Sequence, residues 1–503
     1  MLLSRRRIER AQSAFVEFRS RIEQSPPSPR SIDGSIPEAV DRIITRCLEP
    51  DAGDRIQTTA ELRAALDRLD DDGNPLPVTR RLTRPLVSSV AALVVALVAG
   101  TWWLASLGRP TAEPDPMSVL VADFTNTTGD PSFGGALEQA LVIGIEGAGF
   151  ISALPPASAH RIAEQIQPGS RLDETMARLI SRREGVSVIL AGEIERNGER
   201  YVLEVRALDP GLEPVDGDPL AVARASADSR DDVLEAVGRI ASELRGDLGD
   251  TTPKSDRQAV AETFTAASVE AMSAYAEGQE LLAQGRFKEA IELYQRAVDE
   301  DPEFGRAYAG MGVAYGNLRR EAAAEASYQQ AFKHLDRMTE RERYRTLGGY
   351  YLLVSKNFDK AIESYRDLVD AFPADGVGHS NLAFAYLSVR DFDRAVESGR
   401  RAVELEPNNI IKRINYAMYA LYAGDFETAI TESKTVLEQN PDFGYALFTI
   451  GRAAGAAGDM KAAHEAFEEL DASDGMGSSL APMGHGDLAL YRGRNRDAVR
   501  LLE

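Results

Sequence analysis

"AYAEGQELLAQGRFKEAIELYQRAVDEDP", Ala274 to Pro302, places one small residue, Gly278, twelve positions before another, Ala290, with Tyr294 and Pro302 behind them. The same arrangement returns down the rest of the chain. Gly278, Gly312, Gly349, Ala383, Ala417, Gly451 and Gly486 follow one another at intervals of 34, 37, 34, 34, 34 and 35. Ala290, Ala324, Ala361, Ala395, Ala429, Ala463 and Ala498 keep step, each 12 residues after its partner. Pro302, Pro373, Pro407 and Pro441 close four of the units.

A constant period of this length marks a stacked array. Each unit reads as two antiparallel helices, in which the small residue on the first lets the second approach closely and the Ala on the second does the same in return. Tyr294, Tyr328, Tyr365 and Phe467 are placed to fill the gaps between neighbouring units. One unit alone cannot bury its apolar stripe, so the units stack into a right-handed solenoid with a concave face. Over about 230 residues the pattern resembles the tetratricopeptide family. That resemblance implies protein or peptide partners in the groove. Six full repeats and a partial seventh are expected over 268–503, with the three extra residues near "DRMTERERYRT" lengthening a second helix or loop. Tyr275, Tyr315 and Tyr386 read as core at helical spacing, and no groove residue is singled out.

Composition narrows the functions. A formal net charge of -22 and a pI near 4.9 argue against nucleic acid, which needs a basic face to displace counterions from phosphates. The single cysteine, Cys47, leaves no intrachain disulfide, and its place on an apolar helix face reads as a buried thiol. Five histidines without clustering give a metal site little to build on.

Upstream, "PLVSSVAALVVALVAGTWWLASLG" over residues 85–108 carries no charge, and as a helix it would reach about 35 Å, enough to span a bilayer. Arg80, Arg81 and Arg84 crowd one edge and Arg109 stands alone on the other, which predicts a cytoplasmic N-terminus and a periplasmic C-terminal region in the inner membrane. Residues 109–116 are a stiff linker.

The stretch over residues 117–250 alternates short apolar strands with helices and closes on a helix, a small α/β layer domain. Asn197 and Gly198 mark a hairpin turn. "TNTTGDPSFGG" joins a strand to a helix without phosphate-loop spacing or a lysine and reads as a capped turn, and His160 reads as a surface residue. "VLVADFTNTTGDPSFGGALEQAL" and "GVSVILAGEIERNGERYVLEVRALDP" resemble a domain found outside the membrane in bacterial kinase receptors that carry helical repeats, which implies ligand sensing or protein contact.

Residues 1–78 hold two amphipathic helices that cannot bury their faces on each other. "IPEAVDRIITRCLEPDAGDRIQTTAELRAALDRL" resembles the C-terminal end of the large lobe of a bacterial Ser/Thr protein kinase. The resemblance implies that Arg55 matches an arginine that makes a buried ion pair with a glutamate of the kinase activation segment. The Gly-rich loop, strand lysine, H-R-D and D-F-G elements are missing, so this chain as written should be inactive, and ATP and magnesium are expected only for a full-length kinase. Neither a catalytic nor a metal nor a cofactor residue is assigned.

The expected fold is mixed and mostly α: a kinase-lobe helical remnant, one transmembrane helix, a small α/β domain and an α-solenoid. The expected function is the membrane-anchored interaction and sensory half of a truncated Ser/Thr kinase receptor, a start codon inside a longer gene being one origin. The alternative is a membrane-anchored scaffold without catalysis that recruits periplasmic proteins. A membrane-spanning transcription regulator would need a basic winged helix, which residues 1–84 lack.

Overall fold

A computed structural model describes residues 26–76, 114–211, 218–257, 266, 268–473 and 476–502. The chain divides into two compact units, Met1–Thr111 and Ala112–Glu503. In the first, a short turn of helix, α1 (Pro29–Ile32), precedes α2 (Glu38–Cys47) and α3 (Thr59–Leu66). Thr58 caps α3 by accepting from Glu61 N–H. Neither α2 nor α3 contains a buried residue. Leu48, Leu66 and Leu76 stand largely exposed.

The second unit begins with a sheet of β1 (Met117–Val121), β2 (Thr125–Asn126), β3 (Ile151–Ala153), β4 (Val188–Asn197), β5 (Arg200–Leu208) and β6 (Ala221–Ala227). Its order is β3-β1-β4-β5-β6, with β2 beside β4. The pairs β3-β1 and β1-β4 are parallel, and the β4-β5-β6 ribbon is antiparallel. Period-two alternation sorts the side chains. Val119, Val121, Val188 and Leu190 pack toward α4 (Ala136–Ile145) and α7 (Val233–Asp247), while Leu120 and Ile189 pack toward α5 (Pro156–Ile166) and α6 (Glu174–Glu184). The hairpin turns one residue later than the Asn-Gly signal suggests. Asn197 pairs with Arg200, so Gly198 and Glu199 form the loop, and the positive φ of 67° at Gly198 suits the first position of a type II′ turn.

The solenoid follows as helix pairs: α8 (Val269–Ala283) with α9 (Phe287–Glu300), α10 (Gly305–Asn317) with α11 (Glu321–Phe332), and α12 (Glu340–Gly349) with α13 (Phe358–Ala371). Next come α14 (Gly376–Ser388) with α15 (Phe392–Leu405) and α16 (Ile410–Ala423) with α17 (Phe426–Gln439). The last pairs are α18 (Gly444–Ala456) with α19 (Met460–Ala472) and α20 (Met476–Tyr491) with α21 (Asn495–Leu502). Even-numbered helices are the first of each pair. The extra residues of the 37-residue interval fall around a 3-10 turn at Leu335–Arg337 and a capping box between Thr339 and Glu342, and a π-turn at Tyr350–Val354 follows the interval. Sheet and solenoid share one core, which runs from Val119 through Leu141 and Val237 into Met272, Tyr294 and Met311.

The expected transmembrane helix is corrected by this structure. Among the described residues no helix is long and apolar enough to cross a membrane. The longest described, α20, has 16 residues, a length of about 24 Å against a hydrocarbon core of about 30 Å. Residues 85–108, where the span was expected, lie outside the described residues. The fold class is therefore a mixed, mostly helical chain dominated by its solenoid. The single-pass inner-membrane placement, with a cytoplasmic N-terminus and a periplasmic C-terminal region, rested on that helix and is set aside with it.

Candidate protein-binding face

All fourteen small residues of the two periodic series are buried: Gly278, Gly312, Gly349, Ala383, Ala417, Gly451 and Gly486 on the first helices, Ala290, Ala324, Ala361, Ala395, Ala429, Ala463 and Ala498 on the second. Each first-helix glycine admits a ring or a branched chain. A Cβ at Gly278 would stand 2.7 Å from the Tyr294 ring, and one at Gly312 would stand 2.6 Å from the Tyr328 ring. Gly451 meets Phe467 in the same way, and Gly486 meets Leu502. The third repeat shifts by one: Gly348 faces the Tyr365 ring at 2.7 Å, and Gly349 lies nearer the Tyr328 hydroxyl. In the fourth repeat the ring position holds Gly399, and Tyr419 from the next repeat fills the space.

With these residues spent on packing, the outward faces of the first helices are left as the candidate site. Val377, Ile411 and Tyr445 open α14, α16 and α18 at intervals of 34, and they are 40 %, 53 % and 46 % exposed. Phe384, Tyr422 and Tyr491 lie further along α14, α16 and α20 and are also exposed. Isolated exposed apolar residues are ordinary on a protein surface, but a periodic set on one face of stacked helices is a binding signal. A cleft of about 430 Å³ opens where α16, α18 and α20 meet, lined in part by Leu421, Tyr422, Phe426, Arg452, Asp487 and Tyr491. Arg452 Nε lies 3.3 Å from Asp487 Oδ2. Its guanidinium carbon sits 5.7 Å from the Tyr422 ring centre and 5.5 Å from that of Phe448, so the cation lies within reach of two aromatic faces. Tyr422 in turn stacks on Phe392 at 6.0 Å.

Sequence reasoning passed over these residues because an aromatic at helical spacing is usually core. Tyr275 and Tyr386 are buried. The signal that separates groove from core was available in the 34-residue series itself: Val377, Ile411 and Tyr445 sit six positions before the packing residues Ala383, Ala417 and Gly451.

The α/β layer docks on first helices of the earlier repeats, α8 and α12. His160 Nε2 lies 2.8 Å from Asp123 Oδ1 and its Nδ1 lies 2.7 Å from Glu280 Oε1 on α8. His160 is a surface residue, as expected, with its side chain 38 % exposed, and hydrogen bonds with Asp123 and Glu280 raise the imidazole to about 10, which makes it a charged bridge as well. Arg230 joins Asp130 at 2.7 Å and Glu270 at 2.5 Å. The Ser132 hydrogen bond and Arg230, against the effect of burial, hold Asp130 down at about 2. A fixed carboxylate therefore occupies the "TNTTGDPSFGG" turn, which disfavours an anion there.

In the first unit, Arg55 is exposed and donates through Nε to Glu49 O at 2.6 Å and through Nη2 to Pro50 O at 3.2 Å. The expected buried thiol is corrected: Cys47 is only half-buried, because the stripe of α2 is only partly covered by the described residues. Among the described residues no group of His, Cys, Asp and Glu is arranged to hold a metal ion.

Residues 278–318 match the family described as TPR repeat, and residues 305–333, 347–410 and 416–476 match families described as tetratricopeptide repeat. The solenoid is a tetratricopeptide array, a protein-interaction scaffold. No curated protein sequence matches the chain. Among solved structures it is similar to PilW, a type IV pilus biogenesis factor, at 16% identity over 40% of this chain and 92% of that one, with a TM-score of 0.36. It is also similar to PilF of Pseudomonas aeruginosa, at 17% identity over 40% and 90%, with a TM-score of 0.34. A third is YrrB, a TPR protein with an unusual peptide-binding site, at 18% identity over 42% and 97%, with a TM-score of 0.29.

Proposed function

We propose that the chain is a scaffold without catalysis of its own, which holds a protein segment on the first-helix face of its last four repeats. One observation carries this reading: the exposed apolar row Val377, Ile411 and Tyr445 repeats with the period of the array and continues into the cleft at Tyr422 and Tyr491. The reading assigns no metal, nucleotide or other cofactor. It is tested by placing a photo-crosslinking phenylalanine at Ile411 and, separately, at Glu397, which is exposed on the second helix α15. A discrete protein adduct at Ile411 and none at Glu397 is expected. Equal adducts at both, or none at either, would sink the reading.

A second reading is favoured by Leu48, Arg55 and Leu66, which lie exposed in a helix–turn–helix stretch resembling the end of a kinase lobe. In it, the scaffold is the interaction half of a Ser/Thr protein kinase. An open frame upstream of the Met1 codon encoding H-R-D and D-F-G would support it; a stop codon there would refute it.

A further inference from the structure

We infer that the open stretch of the first-helix face takes an amphipathic helix with an uncharged apolar stripe, laid across α14, α16, α18 and α20. The inference rests on the scaffold reading and names the partner's chemistry.

The row that is open in the later repeats is covered in the earlier ones. Met272 occupies the same position on α8 as Val377 does on α14, and it is buried. There the α/β layer closes over the helix, with Gly135 beside Ala276 and His160 bonded to Glu280. Glu342, at the corresponding place on α12, is buried too, and Arg345 three residues on binds Glu146 of the layer. Among the described residues the furthest hydrogen bonds between layer and array lie in the loops before α14 and α16, where Ala374 donates to Gly149 O at 3.2 Å and Asn408 donates to Arg183 O at 2.5 Å. A ligand is left with the faces of four helices.

Charge selects among ligands. The four helices carry only Lys412, Arg413, Arg452 and Asp487 as charged residues. Each is already paired: Lys412 with Glu406, Arg413 with Glu432, and Arg452 with Asp487. A face with its cations committed offers nothing to an acidic tail, whose binding needs free lysines or arginines. What remains is apolar and aromatic surface, complementary to a neutral apolar stripe.

Spacing selects the conformation. Helices α14, α16, α18 and α20 pack side by side, and packed helix axes stand about 8–10 Å apart. Along an α-helix, residues seven apart lie on one side at a separation of about 10.5 Å. Alternate residues of an extended strand lie about 6.7 Å apart and fall out of step with the row after one interval. Three intervals need about 24–30 Å, a helix of about 16–20 residues.

The test uses the full chain and three fluorescent probe peptides of about 20 residues: one with Leu and Phe at heptad spacing, one of the same composition in strict alternation, and one rich in Glu and Asp. Fluorescence anisotropy should show the heptad peptide binding at least tenfold tighter than either other, with little dependence on salt. Ile411→Glu should weaken it at least tenfold; Val377→Asn and Tyr445→Asn, at exposed positions, provide the same readout should Ile411→Glu unfold. Equal binding of the alternating or acidic peptide, no binding of the heptad peptide, or indifference to all three substitutions overturns the inference. If the Ile411 crosslink still captures a discrete protein, the scaffold reading survives that failure; if it captures none, both readings fall.

Discussion

Arg341 Nη1 lies 3.2 Å from Glu146 Oε1 and joins the third repeat to the α/β layer through side chains that are 3 % and 10 % exposed. Arg345 closes the cluster, reaching Glu146 Oε2 at 3.2 Å and Asp375 Oδ2 at 2.8 Å. Arg341 also donates to Ile151 O at 3.1 Å and stacks over the Phe372 ring at 4.6 Å. Burial opposes charge here, yet the Arg345 and Arg341 guanidiniums hold the Asp375 carboxyl below the ordinary carboxylate range. Replacing Arg341 by Met keeps the volume but leaves two buried carboxylates to share Arg345. Breaking a buried pair in this way costs about 3–5 kcal/mol. Urea unfolding of Arg341→Met should show a loss of that order; a loss under about 1 kcal/mol would mean that the cluster does not hold the layer to the array.

The packing glycines predict opposite signs at two positions of one helix. At Gly312 a Cβ would stand 2.6 Å from the Tyr328 ring, so Gly312→Ala forces ring and helix apart and should destabilise by about 1–3 kcal/mol. At Gly316, near the end of the same helix, no described residue lies within 4 Å of a new Cβ. Gly316→Ala should be neutral or stabilising by up to about 1 kcal/mol, since it restricts the unfolded chain. Thermal denaturation of the two variants checks this, and equal destabilisation would contradict the assignment of Gly312 as a contact glycine.

The array was legible because its physics repeats: whatever lets two helices approach at Gly278 must recur at Gly312 and Gly451, so spacing alone exposes it. The hairpin was legible from Gly198, although its register belongs to the Asn197–Arg200 pair and not to the dipeptide. Docking was not legible. Glu146 and Arg341 are far apart in the chain, and neither has a local pattern that marks a buried partner. His160 was legible as a surface residue, but its ion pair was not, because Glu280 comes from another element. The apolar segment 85–108 shows a different limit: uniform hydrophobicity reports what a stretch avoids; the segment lies outside the described residues, among which no helix is long and apolar enough to cross a membrane.

His160 makes the docking dependent on pH. Its folded value, about 10, lies above its ordinary value of 6.5. Stability from a raised group is fully present below the unfolded value and is lost as pH rises through the folded one. The side chain is 38 % exposed, so solvent screens both contacts and their joint effect stays near the surface-pair scale, about 1 kcal/mol. His160→Gln should therefore destabilise at pH 6 and lose most of that effect by pH 10, measured by urea unfolding at the two values. A penalty that is constant across the window would show that His160 acts through packing and not charge.

Glu138 on α4 has the opposite consequence for a carboxyl. Its Oε1 accepts from Phe124 N–H at 2.7 Å, while Oε2 is buried with no hydrogen-bond partner among the described residues. Burial pushes the group up to about 7 from 4.5. The charged form is the one that folding disfavours, so the contribution to stability is greatest below the unfolded value and disappears as pH rises through about 7. Glu138→Gln keeps an acceptor for Phe124 and removes the charge. At pH 8 it should stabilise the protein by on the order of 2 kcal/mol, and at pH 4 the two proteins should be nearly equal, because Glu138 is then neutral in the folded chain. Urea midpoints at both values decide it. A variant less stable than the parent at pH 8 would mean that the ionised carboxylate is held by a partner, and that α4 depends on its charge.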